Sequence, residues 1–246
     1  MKHKVVLIDD EPLARQLIRN LLKSNEHFEV VHECADGFEG FKAIQEHQPH
    51  LLFLDVQMPR LNGFEMLELL DTTPSVIFCT AFDEYAMKAF ETHAIDYLLK
   101  PVTKERFEKA LEKYLSQAGS DTKLDAEALA SENVYEGYQN RIVVKDNGVI
   151  RIIAASEILY IEANDDYIKI FTKDGQFLKK STLTRIEKSF DGGAFIRVHR
   201  SYIIPVAQLV RIEPYEKGSH IALLHSGAKV PVSKSGMDKL KSTLGW

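Results

Sequence analysis

The chain has 246 residues, a length more typical of two domains than of one. Its 45% hydrophobic and 27% charged residues are those of an ordinary folded protein, which excludes wholesale disorder. The net charge of −5 combines unlike halves, because residues 1–118 carry 13 Lys and Arg against 20 Asp and Glu, whereas residues 138–246 carry 17 against 11. Only the second half therefore has the basic character that suits a polyanion such as nucleic acid.

The N-terminal residues MKHKVVLIDDEP lack the apolar core and the cleavage site of a signal peptide. No apolar run approaches the length of a membrane-spanning helix, the longest being four-residue runs such as VVLI at 5–8. We therefore expect a cytoplasmic protein with no membrane insertion. Cys34 and Cys79 lie in apolar stretches and are too few for a disulfide framework or a cysteine zinc site, so we expect reduced core residues.

Strand-like apolar runs alternate with amphipathic helical stretches in the first half. This alternation is typical of a parallel sheet covered by helices on both faces. The predicted fold class is α/β, a doubly wound parallel sheet of the (βα)5 type. The predicted strands span 4–9, 28–33, 50–55, 75–80 and 95–100, and the predicted helices span 12–24, 37–47, 62–70, 84–92 and 103–116.

Beyond this region the sequence becomes small, polar and acidic, which predicts a linker over 118–138 between domains at 1–117 and 139–246. The second half consists of short β-rich runs separated by DNG, KDG, EKGS and HSG, which are turn sequences. Only TLTRIEKSF and SKSGMDKLKSTL have helical periodicity. A mainly β second domain is therefore predicted.

Polar side chains end four of the predicted strands in the first domain. Asp9 and Asp10 follow the first strand, Asp55 the third, Thr80 the fourth and Lys100 the fifth. An Asp that ends a single strand is usually a helix cap, but the joint pattern is far more specific. Because ligands bind beyond the carboxyl ends of parallel strands, we expect these groups to converge at one edge.

Three crowded carboxylates need a compensating cation, which Lys100 or an oxygen-seeking Mg²⁺ can supply. Such a site suits phosphoryl transfer to a carboxylate, with an ammonium and a hydroxyl contacting the phosphoryl oxygens. Asp55 is the best candidate for the carboxylate nucleophile.

Residues 1–116 resemble the receiver domain of bacterial two-component response regulators. The motifs that carry the resemblance are LIDDEP, LLFLDVQMPRLNGFE, IFCTAF and DYLLKP. The resemblance implies that Asp55 is the phosphoacceptor. It also implies a Mg²⁺ site in which Asp10 binds the metal directly, Asp9 acts mainly through water, and Asp55 and the backbone carbonyl of Gln57 complete the shell.

The same resemblance implies that Thr80 and Lys100 contact the phosphoryl group. Tyr97 would then be the switch aromatic that turns inward when Thr80 moves towards that group. From the sequence alone, Tyr97 can equally be an ordinary residue of an amphipathic strand. Pro101 is expected to follow a cis peptide bond.

The second half contains no P-loop, GxGxxG or GxSxG motif, and its histidines lack metal-ligand spacing. Residues 141–244 resemble the LytTR DNA-binding domain, a compact β-fold whose loops enter the major groove, through YIEANDDYIKI, TLTRIEKSF, FIRVHRSYIIP and VPVSKSGMDKL. Carried onto this chain, the DNA-reading positions are Asn164, Asp165, Asp166, Tyr167, His199, Arg200 and Lys234.

These features together predict a transcriptional response regulator whose only catalysis is its own phosphoryl transfer and hydrolysis. Its expected partners are a sensor histidine kinase, promoter DNA and, after phosphorylation, a second copy of the chain. The expected dimer surface spans 84–92, 95–100 and 103–116 and has charges of both signs, among them Asp96, Lys104 and Arg106. The alternatives are a receiver that gates a protein- or RNA-binding β-module and a phosphorylation-gated enzyme.

Overall fold

The computed structural model describes residues 2–81, 94–117, 138–215 and 219–246, which fall into two units. The first unit has the predicted succession of strands and helices, although the helix predicted over 84–92 and nearly all of the predicted linker lie outside the described residues. Its strands β1 to β5 span His3–Ile8, Phe28–Cys34, Leu51–Leu54, Ser75–Thr80 and Asp96–Leu99. Its helices α1 to α4 span Pro12–Leu22, Gly37–His47, Gly63–Glu68 and Lys104–Gln117.

The five strands form one parallel sheet in the order β2-β1-β3-β4-β5. The order reverses between β1 and β3, which is the point where ligands bind in sheets of this kind. Strands β1 and β3 are buried on both faces, because their runs VVLI and LLFL are wholly apolar. One face packs against α1 and α4 through Ile18, Leu22 and Phe107. The α/β fold class is confirmed.

Helix α3 ends two residues before its predicted limit. It begins with a capping box in which Asn62 accepts a hydrogen bond from the Glu65 backbone and the Glu65 carboxylate accepts one from the Asn62 backbone. At its other end, Leu69 and Leu70 donate to carbonyls three residues back rather than four. The last turn is therefore tightened, a change that side-chain periodicity cannot predict.

The second unit contains ten strands and two α-helices among its described residues. Strands β6 to β15 span Arg141–Asp146, Val149–Ala154, Ile158–Asn164, Tyr167–Thr172, Gly175–Lys180, Phe195–His199, Tyr202–Pro205, Leu209–Pro214, His220–Leu224 and Lys229–Val232. Helices α5 and α6 span Leu183–Ser189 and Lys234–Leu244. The strands form a five-stranded sheet in the order β10-β9-β8-β12-β11, a three-stranded sheet β13-β14-β15 and a hairpin β6-β7. The predicted mainly β domain is confirmed.

Two apolar clusters support the second unit. Helix α5 contributes Leu183 and Ile186 to a cluster with β8 and β9. Helix α6 contributes Met237 and Leu240 to a cluster with β11, β14 and β15. The two faces of the β11 and β12 hairpin therefore pack on different helices.

Helix α6 approaches β11 so closely that Gly236 is required there. A Cβ atom at this position would lie 1.9 Å from the carbonyl oxygen of Val198 and 2.7 Å from the Cα of Val198. Both are backbone atoms, so they could make room only if the strand itself shifted. We expect Gly236→Ala to lower the free energy of unfolding by about 1–3 kcal/mol through overpacking. Gly192→Ala is the control, because a Cβ at Gly192 meets nothing within 4 Å. Equal urea midpoints for the two variants would contradict this packing.

Both cysteines are free and buried, as predicted. Burial raises the pKa of the Cys34 thiol to about 12, so this thiol stays protonated and unreactive at neutral pH. None of the described helices is both long enough and apolar enough to cross a membrane.

Candidate functional site

The carboxylates predicted to converge do so at the ends of β1 and β3. Single oxygens of Asp9, Asp10 and Asp55 all lie within 4.8 Å of one another. The Asp9 and Asp55 residues are each 5% exposed, whereas Asp10 is exposed. Their backbones are fixed by the sheet, since the Asp55 amide donates to the Ile8 carbonyl at 2.8 Å.

Lys100 lies in the middle of this acidic group. Its Nζ is 2.9 Å from Asp9 Oδ2, 2.8 Å from Asp55 Oδ2 and 2.8 Å from Glu11 Oε2. Burial alone would lower the pKa of Lys100, but the bonds to Asp55, Glu11 and Asp9 outweigh burial and raise it. Lys100 is therefore a permanent ammonium group at this edge of the sheet.

One ammonium does not neutralise the site. Burial raises the pKa of Asp9 and the nearby charge of Asp55 adds to this effect, while the bonds from Lys100 and the Glu11 backbone only partly offset it. An excess of oxygen ligands and of negative charge is the donor chemistry that a hard divalent cation such as Mg²⁺ requires. The residues present therefore fit a magnesium site.

Thr80, at the end of β4, has a completely buried side chain. Its hydroxyl oxygen makes no hydrogen bond within the described part of the chain, although its carbonyl accepts one from the Lys100 amide at 2.8 Å. A buried hydroxyl without a partner costs free energy and usually has a functional reason. Among the described residues, Thr80 thus has an unused hydroxyl at a strand end that is hydrogen-bonded to Lys100.

Of two further predicted positions, Gln57 adjoins this cluster and Tyr97 lies on β5. The Gln57 amide donates to Asp55 Oδ1 at 3.2 Å, which places the proposed carbonyl ligand in the loop directly after Asp55. Tyr97 lies inside the protein with its ring centroid 6.5 Å from that of Phe78. The bond between Lys100 and Pro101 is cis, as expected.

Sequence reasoning did not single out several residues that shape the site. Glu11 binds Lys100, and the Arg15 guanidinium donates to the Asp9 carbonyl. Asp36 caps α2 and pairs with Arg60, which lies in the loop after Asp55. The position of Glu11 directly after the two aspartates could have marked it as a site residue. The contact between Asp36 and Arg60 joins distant parts of the chain, so no local sequence pattern could have predicted it.

Some of the charges expected to pair across a dimer axis already pair within the chain. Asp96 and Arg106 pair with each other inside the chain, since the two guanidinium nitrogens each lie 2.7 Å from an Asp96 oxygen. Lys104 lies 3.7 Å from Glu108 one helical turn away. The packing of α4 on β5 brings the first pair together, which spacing along the chain does not reveal. The charges predicted within 84–92 are outside the described residues.

The bond between Asp96 and Arg106 predicts a pH-dependent stability. Burial would raise the pKa of Asp96, but the hydrogen bonds from Arg106 and the Tyr97 amide outweigh it and hold the pKa below its ordinary value. The stabilisation is thus complete above the unfolded pKa of about 4 and is lost as the pH falls through the folded value. At pH 7, Asp96→Asn should lower the free energy of unfolding by about 1–2 kcal/mol.

Denaturant unfolding of wild type and Asp96→Asn at a series of pH values checks this expectation. The difference between the two proteins should shrink as the pH falls below about 4. Glu105→Gln is the control, because Glu105 pairs with Lys109 on an exposed helix face. A difference for Asp96→Asn that is independent of pH would contradict the ion pair.

The predicted DNA-reading positions lie on three segments of the second unit. Asn164 and Tyr167 face each other across the two-residue turn between β8 and β9, and Tyr167 is 43% exposed. Asp165, in this turn, has the left-handed conformation with φ of 55°. His199 ends β11, Arg200 follows it, and Lys234 begins α6.

Backbone hydrogen bonds bring these three segments together. The Ala163 amide donates to the Ser201 carbonyl at 2.9 Å, which joins the end of β8 to the turn after β11. The Ser233 amide donates to the Val198 carbonyl at 2.8 Å, which joins the start of α6 to the last residues of β11, just before that turn. The predicted positions therefore form one edge of the second unit.

The basic side chains at this edge differ in whether they make hydrogen bonds or ion pairs within the protein. Arg200 and Lys234 are exposed, and neither has an ion pair among the residues described. His199 accepts a hydrogen bond from the Ser201 amide at 3.2 Å, and burial together with the charge of Arg200 lowers its pKa. Lys239 is not free, because it lies 2.5 Å from Glu187.

Comparison with known proteins agrees with both units. Residues 5–112 match the family described as response regulator receiver domain, and residues 148–245 match the LytTr DNA-binding domain. The chain is 35% identical over 245 residues to "Transcriptional regulatory protein BtsR" of Salmonella typhimurium, with 98% of this chain and 99% of that protein covered. It is 32% identical to "Sensory transduction protein LytT" of Bacillus subtilis, with 98% of each covered.

A solved LytTr DNA-binding domain of a putative methyl-accepting/DNA response regulator from Bacillus cereus is 25% identical. The match covers 44% of this chain and 99% of the solved domain, with a TM-score of 0.41. The two family matches together with relatives aligned over nearly the whole length identify the protein. The chain belongs to the LytTR-type response regulators, transcriptional regulators that combine a receiver domain with a DNA-binding domain.

Proposed function

We propose that a sensor histidine kinase phosphorylates Asp55 and that the phosphorylated chain dimerises and binds promoter DNA. The observation that carries this proposal is the pairing of a buried Asp55 with Lys100. The Lys100 amide donates to Thr80, whose buried hydroxyl has no hydrogen-bond partner among the described residues. The first unit would catalyse only its own phosphoryl transfer and hydrolysis. Promoter binding would place the protein in the cytoplasm.

The chemistry of the proposed acceptor follows from its neighbours. An Asp55 oxygen attacks the phosphorus of the donor phosphohistidine, and the bond from phosphorus to the histidine nitrogen breaks. Lys100 releases Asp55 and binds a phosphoryl oxygen, and the Thr80 hydroxyl donates to another. Asp9, Asp10, Asp55 and the Gln57 carbonyl would hold Mg²⁺, which supplies neutralising charge when bound.

The same groups offer a route from phosphorylation to the rest of the domain. A new bond from the Thr80 hydroxyl to a phosphoryl oxygen would pull the end of β4 towards Asp55. Tyr97 lies on the neighbouring strand beside Phe78, two residues before the partner of Thr80 in the β-ladder. Movement of Thr80 would therefore favour one packing of Tyr97 over another, and a two-state element of this kind can control dimerisation.

The basic edge of the second unit is suited to double-stranded DNA. Arg200 has the two-pronged guanidinium that matches the O6 and N7 acceptors of guanine. Lys234, at the start of α6, can reach guanine or a phosphate, and Asn164 can read adenine. Asp165 and Asp166 would face a cytosine amine or turn away, because phosphates repel them. His199 and Tyr167 complete the proposed contact surface.

A protein- or RNA-binding role for the second unit has less support. RNA-binding modules commonly stack bases on exposed aromatic side chains. In this domain Tyr160 stacks on Phe171 with ring centroids 4.1 Å apart, and the Tyr202 hydroxyl donates to Glu162 at 2.6 Å. Both rings are thereby engaged within the fold. Tyr167 is 43% exposed, and Tyr138 and Tyr215 are 66% and 58% exposed but lie outside the three segments that form the basic edge.

Selection of duplexes from a random DNA pool by the phosphorylated full chain tests the proposal. We expect recovery of sites with two half-sites about 10 bp apart or a multiple of this, since two output domains then face one side of the duplex. Sedimentation should show a dimer after phosphorylation. Enrichment of no duplex sequence, with enrichment of particular sequences from a random RNA pool, would favour the RNA-binding alternative.

A further inference from the structure

Arg197 on β11 joins three parts of the second unit through one guanidinium group. Its Nη1 donates to Thr184 Oγ1 at 2.9 Å and to Glu187 Oε2 at 3.2 Å, both on α5. Its Nη2 donates to the carbonyl oxygen of Arg200 at 3.0 Å. The side chain therefore ties the backbone of the turn after β11 to α5.

Glu187 extends this connection to a second helix. Its other carboxylate oxygen, Oε1, lies 2.5 Å from Lys239 Nζ on α6. Burial alone would raise the pKa of Glu187, but the bonds from Lys239 and Arg197 outweigh it and hold the pKa below its ordinary value. One carboxylate thus links β11, whose end leads to Arg200, with α6, whose first residue is Lys234.

The backbone just before Arg200 contains a β-bulge, and the hydrogen bond from Arg197 to the Arg200 carbonyl spans it. The pairing of β11 with β12 slips between Arg197 and His199, so that Val198 is an extra residue in the ladder. A bulge of this kind redirects the side chains that follow it and leaves the local backbone less firmly paired. The guanidinium of Arg197 holds the carbonyl of Arg200 just beyond the bulge, and the Ala163 amide of β8 holds the next carbonyl, that of Ser201.

We propose that Arg197, held by Glu187, is a positioning residue that sets the orientation of Arg200 and so the base specificity of DNA binding. The inference rests on the proposed function, in which Arg200 reads a base. Arg197 itself contacts no DNA in this account and acts through the Arg200 backbone. Its removal should therefore weaken recognition of a particular sequence while leaving attraction to phosphates unchanged.

Arg197→Lys is the sharpest variant, because it retains the positive charge but not the planar fork that reaches both α5 and the Arg200 carbonyl. A cavity of about 270 Å³ borders Glu187, Arg197 and Lys239, so the altered side chain can be accommodated. The probes are a duplex selected by the wild-type full chain and a scrambled duplex of the same composition. The measurement is the specificity ratio, which is the dissociation constant for the scrambled duplex divided by that for the selected duplex.

We expect Arg197→Lys to lower this ratio about tenfold, the usual effect of losing a charge-assisted hydrogen bond. The affinity for the scrambled duplex and its salt dependence should not change. Arg211→Lys is the matched control, because Arg211 is an exposed arginine paired with Glu213 at 2.6 Å. It should leave both dissociation constants at their wild-type values.

A double variant separates the two proposals. In an Arg200→Ala background, Arg197→Lys should cause no further fall, because the residue that it positions is gone. An additional fall, or a normal ratio for Arg197→Lys alone, overturns the positioning role even if Arg200→Ala lowers the ratio as expected. If Arg200→Ala itself leaves the ratio unchanged, the base-reading role of Arg200 in the proposed function fails instead.

A second variant keeps the test decisive if Arg197→Lys does not fold, as judged by its circular dichroism spectrum. Glu187→Gln removes the ion pair with Arg197 without changing any residue of β11. It should lower the same ratio by a smaller factor, since Thr184 still accepts one hydrogen bond from Arg197. An unchanged ratio for a folded Glu187→Gln variant overturns the proposal.

Discussion

Asp55→Asn should reduce labelling of the full chain by acetyl phosphate to background. The amide that replaces the carboxylate is a poor nucleophile, and it also removes one of the three charges that would hold Mg²⁺. Wild type should be labelled only when a divalent cation is present, and EDTA should abolish this labelling. Radioactive phosphate retained on the protein provides the measurement.

Two further variants show whether the loss is specific to this carboxylate. Asp71→Asn removes an exposed aspartate of the same unit and should be labelled like wild type. Lys100→Ala should retain some labelling, because the nucleophile and the metal ligands remain, but the response of DNA binding should be blunted. Labelling of Asp55→Asn at the wild-type level would show that the acceptor is another residue.

Arg200→Ala should weaken binding to a selected duplex by about 1–3 kcal/mol and relax the preference at one base position. The guanidinium is exposed and has no ion pair in the described part of the chain, so its loss should leave the fold intact. Binding to the wild-type duplex and to duplexes changed at single positions, measured by fluorescence anisotropy, gives both quantities.

Lys234→Ala is the informative comparison for Arg200→Ala. If Lys234 contacts a phosphate, its loss should weaken binding to every sequence and reduce the slope of log affinity against log salt by about one unit. An equal loss from Arg200→Ala on selected and random duplexes would make Arg200 a phosphate contact as well. Lys239 is unsuitable for this comparison, because its ammonium is committed to Glu187.

Local sequence patterns predicted most of the fold. The buried strands of the first unit are continuous apolar runs, and their predicted limits agree with the structure to within one residue. The ends of helices were less predictable, as the tightened last turn of α3 illustrates. The convergence of Asp9, Asp55 and Lys100 followed from strand ends alone, because parallel strands share one edge.

Contacts between distant side chains were beyond such patterns. The pairing of Asp96 with Arg106 depends on how α4 lies against β5, and the triad of Glu187, Arg197 and Lys239 depends on the packing of two helices around β11. The sequence shows where the charged residues are but not which of them pair with one another. The sequence therefore predicted the candidate site residues, whereas the structure was needed to find these longer-range side-chain contacts.

Phosphorylation-dependent DNA binding is the most direct measurement of the central claim. Dissociation constants for one selected duplex should be compared for wild type and Asp55→Asn, each with and without acetyl phosphate and Mg²⁺. The account predicts that phosphodonor tightens binding about tenfold in wild type, a typical coupling between two sites, and has no effect on Asp55→Asn. Equal tightening in both proteins, or none in fully labelled wild type, would contradict a switch operated through Asp55.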